Sequence, residues 1–155
     1  MNSENKITDF VKKEFNNDLK HLTMVRESNN SFLLFNRYRL YKKNNQVNIE
    51  HLRITEFHTF FRAKNAVTWC IFENFNQYYD ANRIKNLDRI FADQELQIDL
   101  YKKLVYKEND KDQKIIYYNK LTEGLAKKKA VAFEIEKFIN TSRTLLNKKF
   151  HLGLN

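Results

Sequence analysis

Between Ser31 and Lys43 the chain reads SFLLFNRYRLYKK. At the two-residue period of a strand, Leu33, Phe35, Arg37, Arg39, Tyr41 and Lys43 fall on one face, and Phe32, Leu34, Asn36, Tyr38 and Leu40 fall on the other. The second set reads as core. The first alternates cations with rings, a pattern suited to phosphate contacts beside stacking on unpaired bases. Arg53, on the next predicted strand, extends that face. Arg37, Arg39, Tyr41, Lys43 and Arg53 are therefore the candidate nucleic-acid contacts, against the plain alternative that arginine and tyrosine simply suit the wet face of an antiparallel sheet.

Other chemistry is absent from the pattern. With two glycines in 155 residues there is no phosphate-cradling loop, dinucleotide fingerprint or nucleophile elbow. The four histidines never recur at helical spacing, and only His51 and His58, on adjacent predicted strands, could approach each other. Cys70 falls on the apolar face of a predicted helix, where a thiol behaves as a small hydrophobe rather than a nucleophile. The carboxylates Glu134, Glu136, Asp88 and Asp93 stand among lysines and arginines, the setting of exposed ion pairs. The run Lys127, Lys128 and Lys129 fans around a helix instead of forming one flat patch, with Lys128 on the apolar seam. The expectation is a non-catalytic protein with no metal site and no cofactor.

The composition agrees with a basic globular domain. The formal charge is +9, the hydrophobic fraction 42% and the aromatic fraction 14%, enough apolar surface for one real core. One cysteine cannot make an internal disulfide, so the expected compartment is reducing. No apolar run has the length of a membrane span, and no membrane partner is expected. Proline is absent, and Asn, Lys, Ile, Phe and Tyr are abundant, the signature of an A/T-rich genome. Turns must then be made by Asn and Asp, which tolerate left-handed backbone.

Positioning the basic face requires a sheet. Ser31 to Lys43 and Val47 to Ile54 are predicted strands joined by Asn44-Asn45 at two-residue hairpin spacing. Glu56 to Phe61 is a further strand, and Leu19 to Arg26 an opening one. A short amphipathic helix is expected over Glu4 to Phe15. From Ala63 the period changes: Ala63, Ala66, Val67, Cys70 and Ile71 recur at three and four, with Trp69 and Phe72 widening the face, as in a helix packed on a sheet. Ile84, Leu87, Phe91, Gln94, Ile98, Tyr101 and Val105 then form a coiled-coil seam. After the polar stretch Lys107 to Asp112, a second seam runs through Tyr118, Leu121, Leu125, Lys128, Ala132, Ile135, Ile139, Ser142 and Leu146. The fold class is thus α+β: a small antiparallel β-meander of three or four strands with a packed helix (residues 1–78), followed by a long antiparallel, coiled-coil-like helical hairpin (residues 79–155), forming one cooperative domain. Each hairpin helix should be about 40 to 55 Å long.

Tyr117, Val131, Phe138 and Leu145 lie in a second row that repeats at multiples of seven, and they ask for a third surface. Either the sheet and the Trp69 helix cover them, or a second protomer does, which makes them the candidate self-association residues.

Phe15 to Leu19 (FNNDL), Phe35 to Tyr38 (FNRY), Lys64 to Phe72 (KNAVTWCIF) and Tyr79 to Leu87 (YDANRIKNL) resemble a family of small proteins from marine T4-like tailed phages of the cyanophage and SAR11-phage type. The resemblance spans most of the chain and implies an infected bacterial cytoplasm or a virion as its setting. None of these segments is catalytic, so it assigns no residue role. Two functions follow from the residues. One is non-catalytic binding of DNA or RNA through the sheet, with self-association through the hairpin. The other is a virion structural or assembly role in which the hairpin meets other phage proteins.

Overall fold

The computed structural model describes residues 25–27 and 31–151. The expected helix over Glu4 to Phe15 and most of the expected opening strand lie outside them. Five antiparallel strands form one sheet in sequential order: β1 (Val25–Arg26), β2 (Ser31–Leu34), β3 (Tyr38–Lys43), β4 (Gln46–His51) and β5 (Glu56–Phe60). Three helices follow, α1 (Ala63–Asn74), α2 (Tyr78–Lys107) and α3 (Lys111–His151).

The sheet is punctuated largely by asparagine. Asn44 and Asn45 both take left-handed backbone, at φ 53° and 65°, the pair of positive angles that a two-residue hairpin of matching twist requires. Asn36 (φ 53°) and Asn76 (φ 63°) make the turns before β3 and α2. Phe35 (φ 56°) and Thr55 (φ 54°) adopt the same region without that tolerance. Phe35 is held by packing: its ring meets Phe75 edge-on at 5.8 Å.

One predicted strand is in fact two. Ser31 to Lys43 folds back at Phe35–Arg37, where the Arg37 amide donates to the Leu34 carbonyl at 3.0 Å. The inward parity survives because Leu34 pairs with Tyr38 and Phe32 with Leu40 across the new hairpin. Phe32, Leu34, Tyr38 and Leu40 are all buried, with Val47, Ile49 and Phe60 from the next strands. Asn36 is the exception, exposed in the turn instead of lying on the core face.

Every residue of α1 from Asn65 to Phe72 is buried. A helix against a single sheet would keep a wet side, so this pattern requires cover on both sides. The sheet supplies one side and the α2–α3 hairpin the other. Phe72 meets Phe138 of α3 edge-on at 6.1 Å, and Trp69 lies within 6.1 Å of the Phe60 ring. The buried core is continuous from Phe32 to Leu146 and crosses residue 78 without a break.

The α2 seam holds as expected, with Ile84, Leu87, Phe91, Gln94 and Ile98 buried. The tip half of the α3 seam is rotated by one residue from its expected position, while Ile135, Ile139, Ser142 and Leu146 are buried where the sequence placed them. Val131 is also buried, but Tyr118 and Leu125 are exposed, and Tyr117 and Gly124 take the inward places toward α2. Gly124 explains the rotation: a Cβ there would stand 3.3 Å from Ile98 Cγ1, so the two backbones approach at the one position without a side chain. Among the described residues no helix is long and apolar enough to cross a membrane.

Candidate nucleic-acid interface

The sheet packs α1 on one face and leaves the other uncovered by any described helix. Two cross-strand rows run over the uncovered face. Leu33, Arg39, Glu50 and Phe57 form one, and Ser31, Tyr41, Asn48 and Thr59 form the other. Lys43 and Gln46 close the sheet at the Asn44-Asn45 end.

Of the five candidate contacts, three reach this face. Tyr41 is half-buried between Ser31 and Asn48, and Lys43 is exposed. Arg39 is there but engaged: Nε donates to Glu27 Oε1 at 2.7 Å, Nη2 to Glu27 Oε2 at 3.2 Å and Nη1 to Glu50 Oε1 at 2.8 Å. These bonds hold the Glu27 carboxyl below its ordinary range and raise the Arg39 guanidinium above its own. The fork that a phosphate would need is occupied by two carboxylates. Arg37 leaves the strand face altogether. It sits in the β2–β3 turn with its guanidinium carbon 6.0 Å from the Tyr38 ring. Arg53 is exposed in the β4–β5 turn, at the same end as Arg37 and the opposite end from Lys43. The single strip of alternating cations and rings expected from the sequence is therefore divided, because the strand that carried it is a hairpin.

The self-association residues are covered by the chain itself. Tyr117 meets Tyr101 of α2 at 6.3 Å, Val131 is buried, Phe138 packs on Phe72, and Leu145 packs against the core. Of the two covers the sequence left open, the Trp69 helix α1 serves Phe138, while Tyr117 meets the hairpin partner α2 instead.

The titratable groups of the core are inert in type. His51 meets Tyr38 edge-on at 4.8 Å, with Nε2 3.9 Å from Glu73. His58 lies on Trp69 at 4.5 Å, its Nδ1 2.7 Å from Lys85 Nζ and its Nε2 3.5 Å from Glu56. A lysine can only donate, so Nδ1 accepts and His58 is neutral. Burial lowers both imidazoles, assisted by Arg37 at His51 and by Lys85 at His58. Burial likewise pushes the Cys70 thiol well up. Among the described residues no three His, Cys, Asp or Glu converge in a way that could hold a metal.

Glu134 and Glu136 do form ion pairs, with Arg83 at 2.8 Å and Lys64 at 2.6 Å. Asp88 does not, and sequence reasoning missed it. It is buried and accepts from the Phe61 amide at 2.9 Å, the Arg62 amide at 3.2 Å and Asn65 Nδ2 at 2.8 Å. A carboxylate from α2 thus satisfies backbone donors where the chain enters α1. The readable signal was its place between Ile84 and Phe91 on the apolar side of the helix.

No family model, curated protein or solved structure matches this chain.

Proposed function

We propose that this chain is a non-catalytic, basic nucleic-acid-binding protein that uses its uncovered sheet face and associates with further copies or with other proteins through the outside of its helical hairpin. The setting proposed is that of the phage-family resemblance, an infected bacterial cytoplasm or a virion. The observation that carries the reading is a sheet face, uncovered by any described helix, on which the Tyr41 ring and the Lys43 ammonium stand beside the amide and hydroxyl groups of Asn48, Gln46 and Thr59. Stacking from the ring and phosphate attraction from the ammonium are the two ingredients of sequence-tolerant binding to single strands. Arg39 supports that face from within its ion pairs; Arg37 and Arg53 approach it only at the far end.

The assembly reading is favoured by a different observation. Leu96, Leu100, Ile115, Tyr118, Leu125 and Phe133 are all exposed on the hairpin. Six exposed large apolar side chains over the two hairpin helices are the feature that would serve a protein contact if they meet in one patch.

Fluorescence anisotropy against labelled single-stranded and duplex DNA, at low and high salt, separates the two. Tyr41→Ala with Lys43→Glu is expected to weaken single-strand binding by about ten-fold, the scale of one lost stacked base. Unchanged affinity in that variant removes the sheet face. Absence of wild-type binding at low salt leaves the assembly reading in its place.

A further inference from the structure

The body and the hairpin tip treat their cations differently. In the body Arg39 is bound by Glu27 and Glu50, Lys64 by Glu136, Arg83 by Glu134 and Lys85 by His58, while Arg62 lies 4.5 Å from the Phe91 ring centre and Lys137 4.7 Å from that of Phe133. Lys43 and Arg53 are exposed exceptions in the body, whereas in the hairpin beyond the core exposed lysines predominate. Residues 100–130 hold nine lysines, no arginine and four carboxylates, which gives this segment +5 of the molecule's +9. Only Lys128, of those nine, has an ion-pair partner among the described residues, Glu95 at 3.6 Å. The continuous core ends at Phe91 on α2 and resumes at Val131 on α3, so the hairpin between them is an arm. From Gln94 to Lys107 it projects about 20 Å at 1.5 Å per residue.

Lys102, Lys103 and Lys107 end α2, and Lys111 and Lys114 begin α3; all five are exposed around the turn, and with Glu108, Asp110 and Asp112 between them residues 102–114 carry +2. Tyr106 stands among them at 89% exposure, and Tyr118 follows at 59%. A tyrosine that free is uncovered by its own chain. Like charges gathered on an arm repel one another, and this cost recurs in every unbound molecule. A second copy of the arm would double that repulsion. A polyanion removes it, and the two open rings supply faces for unpaired bases.

We infer that the hairpin tip is a second and stronger nucleic-acid contact, in which Lys102, Lys103, Lys107, Lys111 and Lys114 neutralise backbone phosphates and Tyr106 and Tyr118 stack on bases of a single strand. The sheet face and the arm then grip one strand at two places. This inference rests on the nucleic-acid reading above.

The test compares three proteins by anisotropy on a labelled oligothymidylate and a labelled duplex across a salt series. The first is the wild type; the second carries Gln at the five tip lysines; the third is Tyr41→Ala with Lys43→Glu. Glutamine keeps helix propensity, and circular dichroism checks the fold. Two partial variants, one altered only on α2 and one only on α3, cover the case in which the full set unfolds. The tip variant is expected to lose at least about ten-fold in affinity at low salt, and its log–log salt slope to fall by about 3.5, at about 0.7 per phosphate contact on a single strand. Tyr106→Ala is expected to weaken the oligothymidylate several-fold and leave the duplex unchanged. Wild-type affinity and slope in the tip variant, with binding lost in the sheet variant, overturn the inference and leave the nucleic-acid reading standing. Absence of wild-type binding at low salt overturns both.

Discussion

Asp88 and Arg39 are both charged residues surrounded by polar partners, and they do opposite work. Asp88 is buried, and desolvation raises its carboxyl pKa while the Asn65 amide and the Phe61 and Arg62 backbone donors pull the other way. Its three bonds join α2 to the start of α1, so its loss leaves three donors without a partner in a dry place. Asp88→Ala is expected to destabilise the fold by about 3 kcal/mol, read as a lower urea midpoint at unchanged slope. Arg39 is at the surface, where the same bonding adds little stability and mainly removes a cation from use. The difference lies in water: a buried donor has no alternative partner, and an exposed one always has.

At the scale of elements, the hairpin turns on Gly124. A methyl or larger side chain there meets Ile98 Cγ1 at 3.3 Å and Gln94 Oε1 at 3.7 Å. Gly124→Val is expected to cost about 2 kcal/mol by overpacking, most of it in the arm. Hydrogen exchange checks this: amides of the arm should lose protection while those of α1 and β3 keep theirs. Equal loss in both would mean that arm and body unfold as one unit.

For the whole molecule, the buried imidazoles set the pH response. His51 and His58 have lowered pKa values in the folded state, so below the ordinary histidine value near 6.5 the unfolded chain binds more protons than the folded one. By linkage, stability falls as pH drops through that value toward the lowered ones. Glu73 and Asp88 are shifted upward by burial, so the folded state takes their protons more readily and they act with the opposite sign at lower pH. The thermal midpoint is expected to be level above about pH 7.5, to fall as pH drops through about 6.5, and to level off only once the lowered folded-state values are passed. His51→Gln with His58→Gln should flatten the upper part of the curve; an unchanged slope would show that the imidazoles are not its source.

What the sequence determined by itself is what repeats locally. Period two over Phe32 to Leu40 marked the core face of the sheet, period three and four marked α1 and α2, and paired asparagines marked the β3–β4 turn, because each is set by backbone geometry within a few residues. The tertiary structure alone decided how those elements are used. It broke the long predicted strand at Phe35–Arg37, where Phe35 and Asn36 take left-handed backbone and Phe35 meets Phe75, and it turned the tip half of the α3 seam by one residue so that Gly124 faces Ile98. It engaged Arg39 on the basic face because Glu27, just after β1, and Glu50 of β4 meet it there, and among the described residues it gave only Lys128 of the arm's nine lysines an ion-pair partner. Burial and charge pairing depend on which distant residues meet, and a one-dimensional pattern does not carry that information.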